Sequence, residues 1–317
     1  MFRTSHFLVP FVSLCLNGLS GQADASMDDL KDVKLIVLGT VQDGGAPHLG
    51  CSRSCCTNLY ATPDPNRNVV SLGIVDNASG KTFLIEASPD LIPQWHALSE
   101  FSNNTITQPS GIFITHAHIG HYTGLMYLGR ESLNTNLIPV YAMPNMTAFL
   151  SEHGPWNQLI ALQNINLQPL ISGVEEPLTP SLSIMPFEVP HRDEYSETVG
   201  FVITGPTKKV LFIPDIDKWE LWSESILSKI KSVDLAFIDA TFYNNAEVGY
   251  REVSEIPHPF VVESISLFKT LSEKDRNKIH FIHMNHTNPL LNETSEESEK
   301  IISLGFNIAR VAMVFKI

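Results

Sequence analysis

Three histidines stand within six residues at the end of one predicted strand. The apolar, β-branched run 112–115 predicts a buried strand, and His116, His118 and His121 follow it at once. Imidazole is the commonest metal ligand among neutral side chains, and three of them on one short segment converge on an ion with little loss of chain entropy. The alternative is that these are ordinary buried or surface histidines. The close spacing of three histidines makes that alternative the weaker one. The segment therefore predicts a metal site.

This segment resembles the signature of a known superfamily. His116-Ala117-His118-Ile119-Gly120-His121 is similar to the His-x-His-x-Asp-His motif of the metallo-β-lactamase superfamily, with Gly120 at the aspartate position. Elsewhere in the chain, polar residues follow apolar runs in the order in which the superfamily places its motifs: Asp90, the histidine triplet, His191, Asp215 and His283. The resemblance spans residues 33–317 and implies an α/β fold, the four-layer αβ/βα sandwich of the metallo-β-lactamase fold, as a single domain.

The resemblance also implies ligand sets for two ions. The ligands are His116, His118 and His191 for one ion, His121 and His283 for a second ion, and Asp215 as a bridge between them. Catalytic roles fall on Asp90, Asp215 and His283, and Asp90 is expected to orient a ligand imidazole. Zinc in such a set keeps an open position for water and lowers the pKa of that water toward neutrality.

Gly120 departs from the motif, because the aspartate that it replaces is a ligand of the second ion. The second site is then left with His121, Asp215 and His283, and with less negative charge to hold a cation. We expect one firmly bound Zn²⁺ at the active site and a second ion that binds weakly or is absent.

Three of the chain's cysteines, Cys51, Cys55 and Cys56, lie within six residues and cannot all pair as disulfides. A zinc site protects such thiolates, whereas one local disulfide with a free thiol is the alternative. The preceding Gly-Thr-x-x-x-Gly-Gly-x-Pro segment resembles the phosphonate-pathway cyclic phosphodiesterases and the pyrroloquinoline quinone biosynthesis protein B family, in which three cysteines bind a structural zinc. That resemblance implies His286 as the fourth ligand, with His48 as the competing choice.

The hydrophobic pattern predicts layered α/β structure with the polar residues on one rim of the sheets. Runs 69–75 and 81–87 predict a hairpin, and runs 125–133 and 218–230 predict helices. Asp239 follows another strand, either as a turn carboxylate or as a residue of the pocket.

The amino terminus has the pattern of a processing signal. Arg3 provides a positive start, run 7–19 an apolar stretch, and Ala23-Asp24-Ala25 a small-x-small cleavage site. We expect residues 1–25 to be a signal peptide and the protein to be periplasmic or secreted. The apolar stretch is too short for a transmembrane helix, so no stable membrane insertion is expected.

The formal charge of −13 makes nucleic acid an unfavourable partner, and a small-molecule substrate is expected instead. The leading hypothesis is a metal-dependent hydrolase that uses zinc-activated water on a phosphodiester, lactone or other ester-like bond. A metal-binding protein of quinone-cofactor metabolism and a non-catalytic metal-binding relative are the alternatives. The sequence leaves the substrate and the oligomeric state open.

Overall fold

The computed structural model describes residues 32–102, 108–248 and 256–317, so the predicted signal peptide lies outside the described residues. In this part of the chain, the strands form two seven-stranded sheets. The first sheet contains β1 (Val33–Gly39), β2 (Ser71–Asp76), β3 (Lys81–Ile85), β4 (Gly111–Phe113), β5 (Ile138–Ala142), β6 (Ile165–Pro169) and β14 (Val314–Lys316). The second contains β7 (Glu176–Thr179), β8 (Leu182–Glu188), β9 (Val199–Thr204), β10 (Lys209–Ile213), β11 (Leu235–Asp239), β12 (Ile279–Ile282) and β13 (Asn307–Ile308).

The two sheets have related mixed topologies. The first has the order β14-β1-β2-β3-β4-β5-β6, antiparallel from β14 to β3 and parallel from β3 to β6. The second has the order β13-β12-β11-β10-β9-β8-β7, parallel from β13 to β10 and antiparallel from there to β7. The predicted hairpin is confirmed as the β2-β3 pair.

The helices of the described residues are α1 (Ser54–Ala61), α2 (Leu91–Glu100), α3 (Ile119–Tyr122), α4 (Pro144–Glu152), α5 (Trp156–Ala161), α6 (Ile226–Lys231), α7 (Val261–Phe268), α8 (Glu273–Arg276) and α9 (Glu296–Ser303). Of these, α2, α4 and α5 pack on the outer face of the first sheet, and α6, α7 and α9 pack on that of the second. Short 3-10 helices occur at Thr123–Leu128, Trp219–Leu221, Asn245–Glu247 and Pro289–Leu291. Among the described residues, no helix combines the length and apolar character that a membrane span requires.

The apolar side chains alternate between a central core and two outer cores. Leu35 of β1 and Phe212 of β10 contribute to one core between the sheets, whereas their neighbours Ile36 and Leu211 pack in separate cores under the outer helices. Both faces of each sheet are thus buried, which explains why the strands have continuous apolar sequences. The predicted four-layer αβ/βα sandwich is confirmed.

Two predicted helices are wrong in extent. In the run 125–133 the chain forms a 3-10 helix that ends at Leu128, because the backbone of Gly129 is extended. In the run 218–230, the indoles of Trp219 and Trp222 turn inward to donate to Ser264 Oγ and to the Glu188 carbonyl. Because the two indoles bond to buried partners in different directions, one helix cannot continue through this run. Helix α6 begins only at Ile226.

Candidate metal centre

Strand ends from both sheets carry the predicted ligands to one edge. His116 follows β4 of the first sheet, while His191, Asp215 and His283 follow β8, β10 and β12 of the second. Because parallel strands end at the same edge of a sheet, residues far apart in sequence meet there. Their side chains are almost fully buried.

The first ligand group consists of His116, His118, His191 and Asp215. His118 Nδ1 lies 2.8 Å from His116 Nε2 and 3.3 Å from His191 Nε2. Asp215 Oδ2 lies 3.5 Å from His116 Nε2 and 3.3 Å from His191 Nε2. Ligand atoms about 2.1 Å from a tetrahedral zinc would lie roughly 3.4 Å apart, so this spacing fits such an ion.

The second ligand group consists of Asp43, His121, Asp215 and His283. Asp43 Oδ1 lies 3.0 Å from His121 Nε2 and 3.1 Å from His283 Nε2. Asp215 Oδ2 lies 3.8 and 3.9 Å from the same two nitrogens, so this one oxygen serves both groups. This group contains Asp43, which the sequence-based set for the second ion did not include. Its position in a glycine-rich loop was the one hint in the sequence.

The tautomers of the ligand histidines also fit a cation. Thr115 Oγ1 donates to Glu86 and lies 2.9 Å from His116 Nδ1, which must then donate to it. The Nδ1 atoms of three other ligand histidines are likewise occupied: His121 by Glu86, His191 by Asp217 and His283 by Thr241. In each of these four rings the remaining nitrogen, Nε2, faces the centre, and a cation bound there would accept its lone pair in place of a proton.

Buried acids give the centre a strong negative field. Burial would lower the pKa of His121, but the charges of Asp43 and Glu86 outweigh it and hold that pKa well above its usual value. For His191, burial is likewise outweighed by Asp215 and Asp217, and the pKa rises to about 9. Such a field stabilises a bound divalent cation.

Asp90 does not have the predicted role of orienting an imidazole. Its Oδ2 accepts a hydrogen bond from Val69 N at 2.7 Å, and within the described residues it contacts no histidine. Glu86, fully buried at the end of β3, has that role instead through its contacts with His121 and Thr115. Its positive φ of 76° turns the chain at this point. No sequence pattern separates Glu86 from other residues at strand ends.

His258 is a further member of the centre that sequence reasoning missed. Its Nδ1 lies 3.1 Å from Asp215 Oδ1 and 2.9 Å from Asp239 Oδ2. Asp239 also accepts hydrogen bonds from the backbone and hydroxyl of Thr241, so it is a turn carboxylate and a residue of the site at once. His258 follows no apolar strand, which is why the sequence did not single it out.

The cysteine cluster consists of Cys51, Cys55, Cys56 and His286, whose ligand atoms all lie within 4.8 Å of one another. Cys55 Sγ lies 3.8 Å from Cys51 Sγ and 3.9 Å from Cys56 Sγ, and all three thiols are free. These separations exceed the roughly 2.05 Å of a disulfide and fit the edges of a tetrahedral zinc–thiolate site. The ring of His48 stacks on His286 with centroids 4.4 Å apart, and it is not part of the group.

A cavity of about 1010 Å³ adjoins both the metal centre and the cysteine cluster. Asp217, Thr241 and His258 line it on one side, and Cys51 and His286 on the other. Its wall also includes three cationic side chains, those of Arg53, Arg192 and Lys218. They outnumber the two carboxylates of the wall, Asp217 and Glu247, so the cavity favours an anionic ligand.

The model of the beta-lactamase superfamily domain matches residues 81–284, more than half of the chain. The chain belongs to the beta-lactamase superfamily. Within the superfamily it is similar to coenzyme PQQ synthesis protein B from Methylorubrum extorquens strain PA1, with 25% identity over 87% of this chain and 97% of that protein. It is equally similar to the protein of that name from Acinetobacter baylyi, with 25% identity over 89% of this chain and 99% of the other.

Solved structures show the same superfamily fold. Zn²⁺-bound PqqB from Methylobacterium extorquens superposes with a TM-score of 0.75 and 22% identity, over 90% of this chain and all of that one. A diphosphatase of the PhnP family superposes with a TM-score of 0.60 and 20% identity, over 89% of this chain and 96% of that one. These two proteins match the branch that the sequence motifs indicated.

Replacing Glu86 by glutamine is expected to weaken zinc binding at the metal centre by about 10- to 100-fold. The variant keeps the volume of the side chain but removes the charge that faces His121 and that orients Thr115 against His116. Competition with a chromophoric chelator would measure the loss. Glu152→Gln, an exposed change on α4, is the matched control, and equal affinities for the two variants would contradict the role of Glu86.

Proposed function

We propose that this protein is an exported, metal-dependent hydrolase that acts on a phosphodiester or a similar ester-like bond. The observation that carries the proposal is that Asp215 Oδ2 is shared by two groups of ligand atoms beside an open cavity. When bound there, zinc would polarise the scissile bond and supply a hydroxide nucleophile near neutral pH. The charged start and apolar stretch of residues 1–25 support export, which amino-terminal sequencing of the native protein would test.

The protein's own residues supply the other requirements of hydrolysis. Burial disfavours the charged form of His258, but Asp215 and Asp239 outweigh it, raise its pKa well above the usual value and keep a proton at Nδ1. These carboxylates hold Nδ1, and the ring also lines the cavity, so we infer that the protonated ring gives the proton of its other nitrogen, Nε2, to the leaving oxygen. Arg53 and Arg192 in the cavity wall favour an anionic substrate such as a phosphodiester.

The test is hydrolysis before and after metal removal. We expect the metal-replete protein to hydrolyse bis(4-nitrophenyl) phosphate, to lose this activity on dialysis against a chelator, and to regain it when Zn²⁺ is added. A 4-nitrophenyl ester and a simple lactone, assayed in parallel, would define the bond that is cleaved. Protein with a full zinc content that cleaves none of the three would contradict the proposal.

A role in quinone-cofactor metabolism is the second candidate, favoured by the similarity to coenzyme PQQ synthesis protein B along nearly the whole of that protein. The cavity with its cationic wall also suits an acidic quinone. If metal-replete protein is inactive on the three substrates but perturbs the absorption spectrum of pyrroloquinoline quinone, this candidate replaces the first. Inactive protein that binds zinc and no quinone would instead be a non-catalytic relative.

A further inference from the structure

We propose that Asp43 is the carboxylate ligand of the second ion and occupies the space of the aspartate that the superfamily motif carries at position 120. This inference rests on metal binding at the centre and does not depend on hydrolysis. In the superfamily signature the histidine motif itself supplies this carboxylate, whereas here the loop after β1 would supply it.

Asp43 fills the space next to Gly120. A Cβ atom added at Gly120 would lie 2.6 Å from Asp43 Cα and 2.7 Å from both its Cγ and its Oδ1. Distances below about 3.0 Å do not occur between such atoms, and one of the contacts is to backbone, which cannot rotate away. The Asp43 carboxylate therefore lies where a side chain at position 120 would begin. Only glycine at position 120 leaves room for it.

The backbone that holds Asp43 is fixed to the second sheet. Val41 forms a parallel bridge with Met284, with Gln42 N donating to the Met284 carbonyl at 2.9 Å and Met284 N donating to the Thr40 carbonyl at 2.8 Å. These bonds place Asp43 beside His283, which precedes Met284, although 240 positions separate the two in sequence. The position of the carboxylate is thus determined by main-chain pairing and not by a freely rotating surface side chain.

The spacing of the ring nitrogens around Asp43 fits a bound ion. Nδ1 of His121 and Nδ1 of His283 are occupied by other hydrogen bonds, so Nε2 of each ring faces Asp43 Oδ1, at 3.0 and 3.1 Å. Asp215 Oδ2 lies 3.8 and 3.9 Å from the same two nitrogens. These separations bracket the roughly 3.4 Å between the ligand atoms of a tetrahedral zinc, so Asp43 completes a set of four ligands.

The test compares the zinc content and the zinc affinity of variants at positions 43 and 120. Asp43→Asn is expected to weaken the second ion on the order of 100-fold while the first ion and the cysteine-cluster ion remain. Gly120→Ala adds only the Cβ atom that would lie 2.6 Å from Asp43 Cα, so it should displace Asp43 and weaken the second ion as well. Elemental analysis after equilibrium dialysis, together with the absorption of Co²⁺-substituted protein, measures these effects without reference to activity.

Asp90→Asn is the control, since its carboxylate lies at a nearby strand end but bonds to Val69 N. It should keep the second ion. Asp43→Asn with unchanged zinc content and zinc affinity would overturn the proposal. A Gly120→Ala protein that binds the second ion as tightly as the wild type would show that Asp43 does not depend on the space at position 120. If Asp43→Asn does not fold, anomalous diffraction from wild-type crystals decides: a second ion within about 2.2 Å of Asp43 Oδ1 supports the proposal, and one without that contact overturns it.

Discussion

Replacing His118 by alanine is expected to abolish hydrolysis, with kcat/KM for the phosphodiester falling by about 10³-fold or more, which corresponds to roughly 4 kcal/mol. Its Nδ1 lies at the centre of the first ligand group, 2.8 Å from His116 Nε2 and 3.3 Å from His191 Nε2. Without it the group retains two imidazoles and the shared carboxylate of Asp215, one ligand fewer than the set that binds the first ion. The zinc content should fall by one ion at the same time.

The fold should survive this change. Among the described residues, the other ring nitrogen of His118 has its polar contact with Glu194, whose side chain is 49% exposed, so little stability depends on this pair. Thermal unfolding should therefore separate loss of the ion from loss of structure. His96→Ala is the matched control, because that side chain is 77% exposed on α2 and lies outside all three groups. A His118→Ala protein that retained its zinc and its activity would show that the first ligand group is not the active centre.

Replacing Cys55 by serine is expected to destabilise the fold by several kcal/mol, because binding energy at a structural zinc is folding energy. Burial and the neighbouring Cys51 and Cys56 raise the pKa of Cys55 to about 12, so three thiolates do not form together without a cation. The cysteine cluster joins Cys51 before α1 and the first turn of α1 to the segment after β12, through His286. Loss of the ion would free both segments.

Chemical unfolding monitored with zinc content would measure this effect. Thr57→Ser, an exposed change on the same helix α1, is the control and should unfold like the wild type. If Cys55→Ser yields no folded protein, thiol titration of the wild type gives a second reading: the three thiols should react only after chelation. Rapid reaction in metal-replete, folded protein would contradict a zinc site at the cysteine cluster.

The sequence predicted the parts of the site that depend on short spacing. His116, His118 and His121 lie on one segment after an apolar strand, and the three cysteines lie on another, so their proximity follows from the chain itself. Asp215 and His283 could also be recognised, since each follows a buried apolar run and parallel strands end at one edge. The αβ/βα architecture followed from the same alternation of runs together with the family resemblance.

Only the tertiary structure decided which acids complete the site. Asp43 lies in the loop after β1 without a motif that marks it, and His258 follows no apolar run. Glu86 is indistinguishable in sequence from Asp90, which lies four positions later and bonds to Val69 instead. Hydrophobic periodicity specifies which face of a strand is buried, but it carries no information about which loop of one sheet pairs with the edge of the other. Here the pairing of Val41 with Met284 determines which loop lies at that edge. It brings the Asp43 carboxylate into the space that Gly120 leaves open.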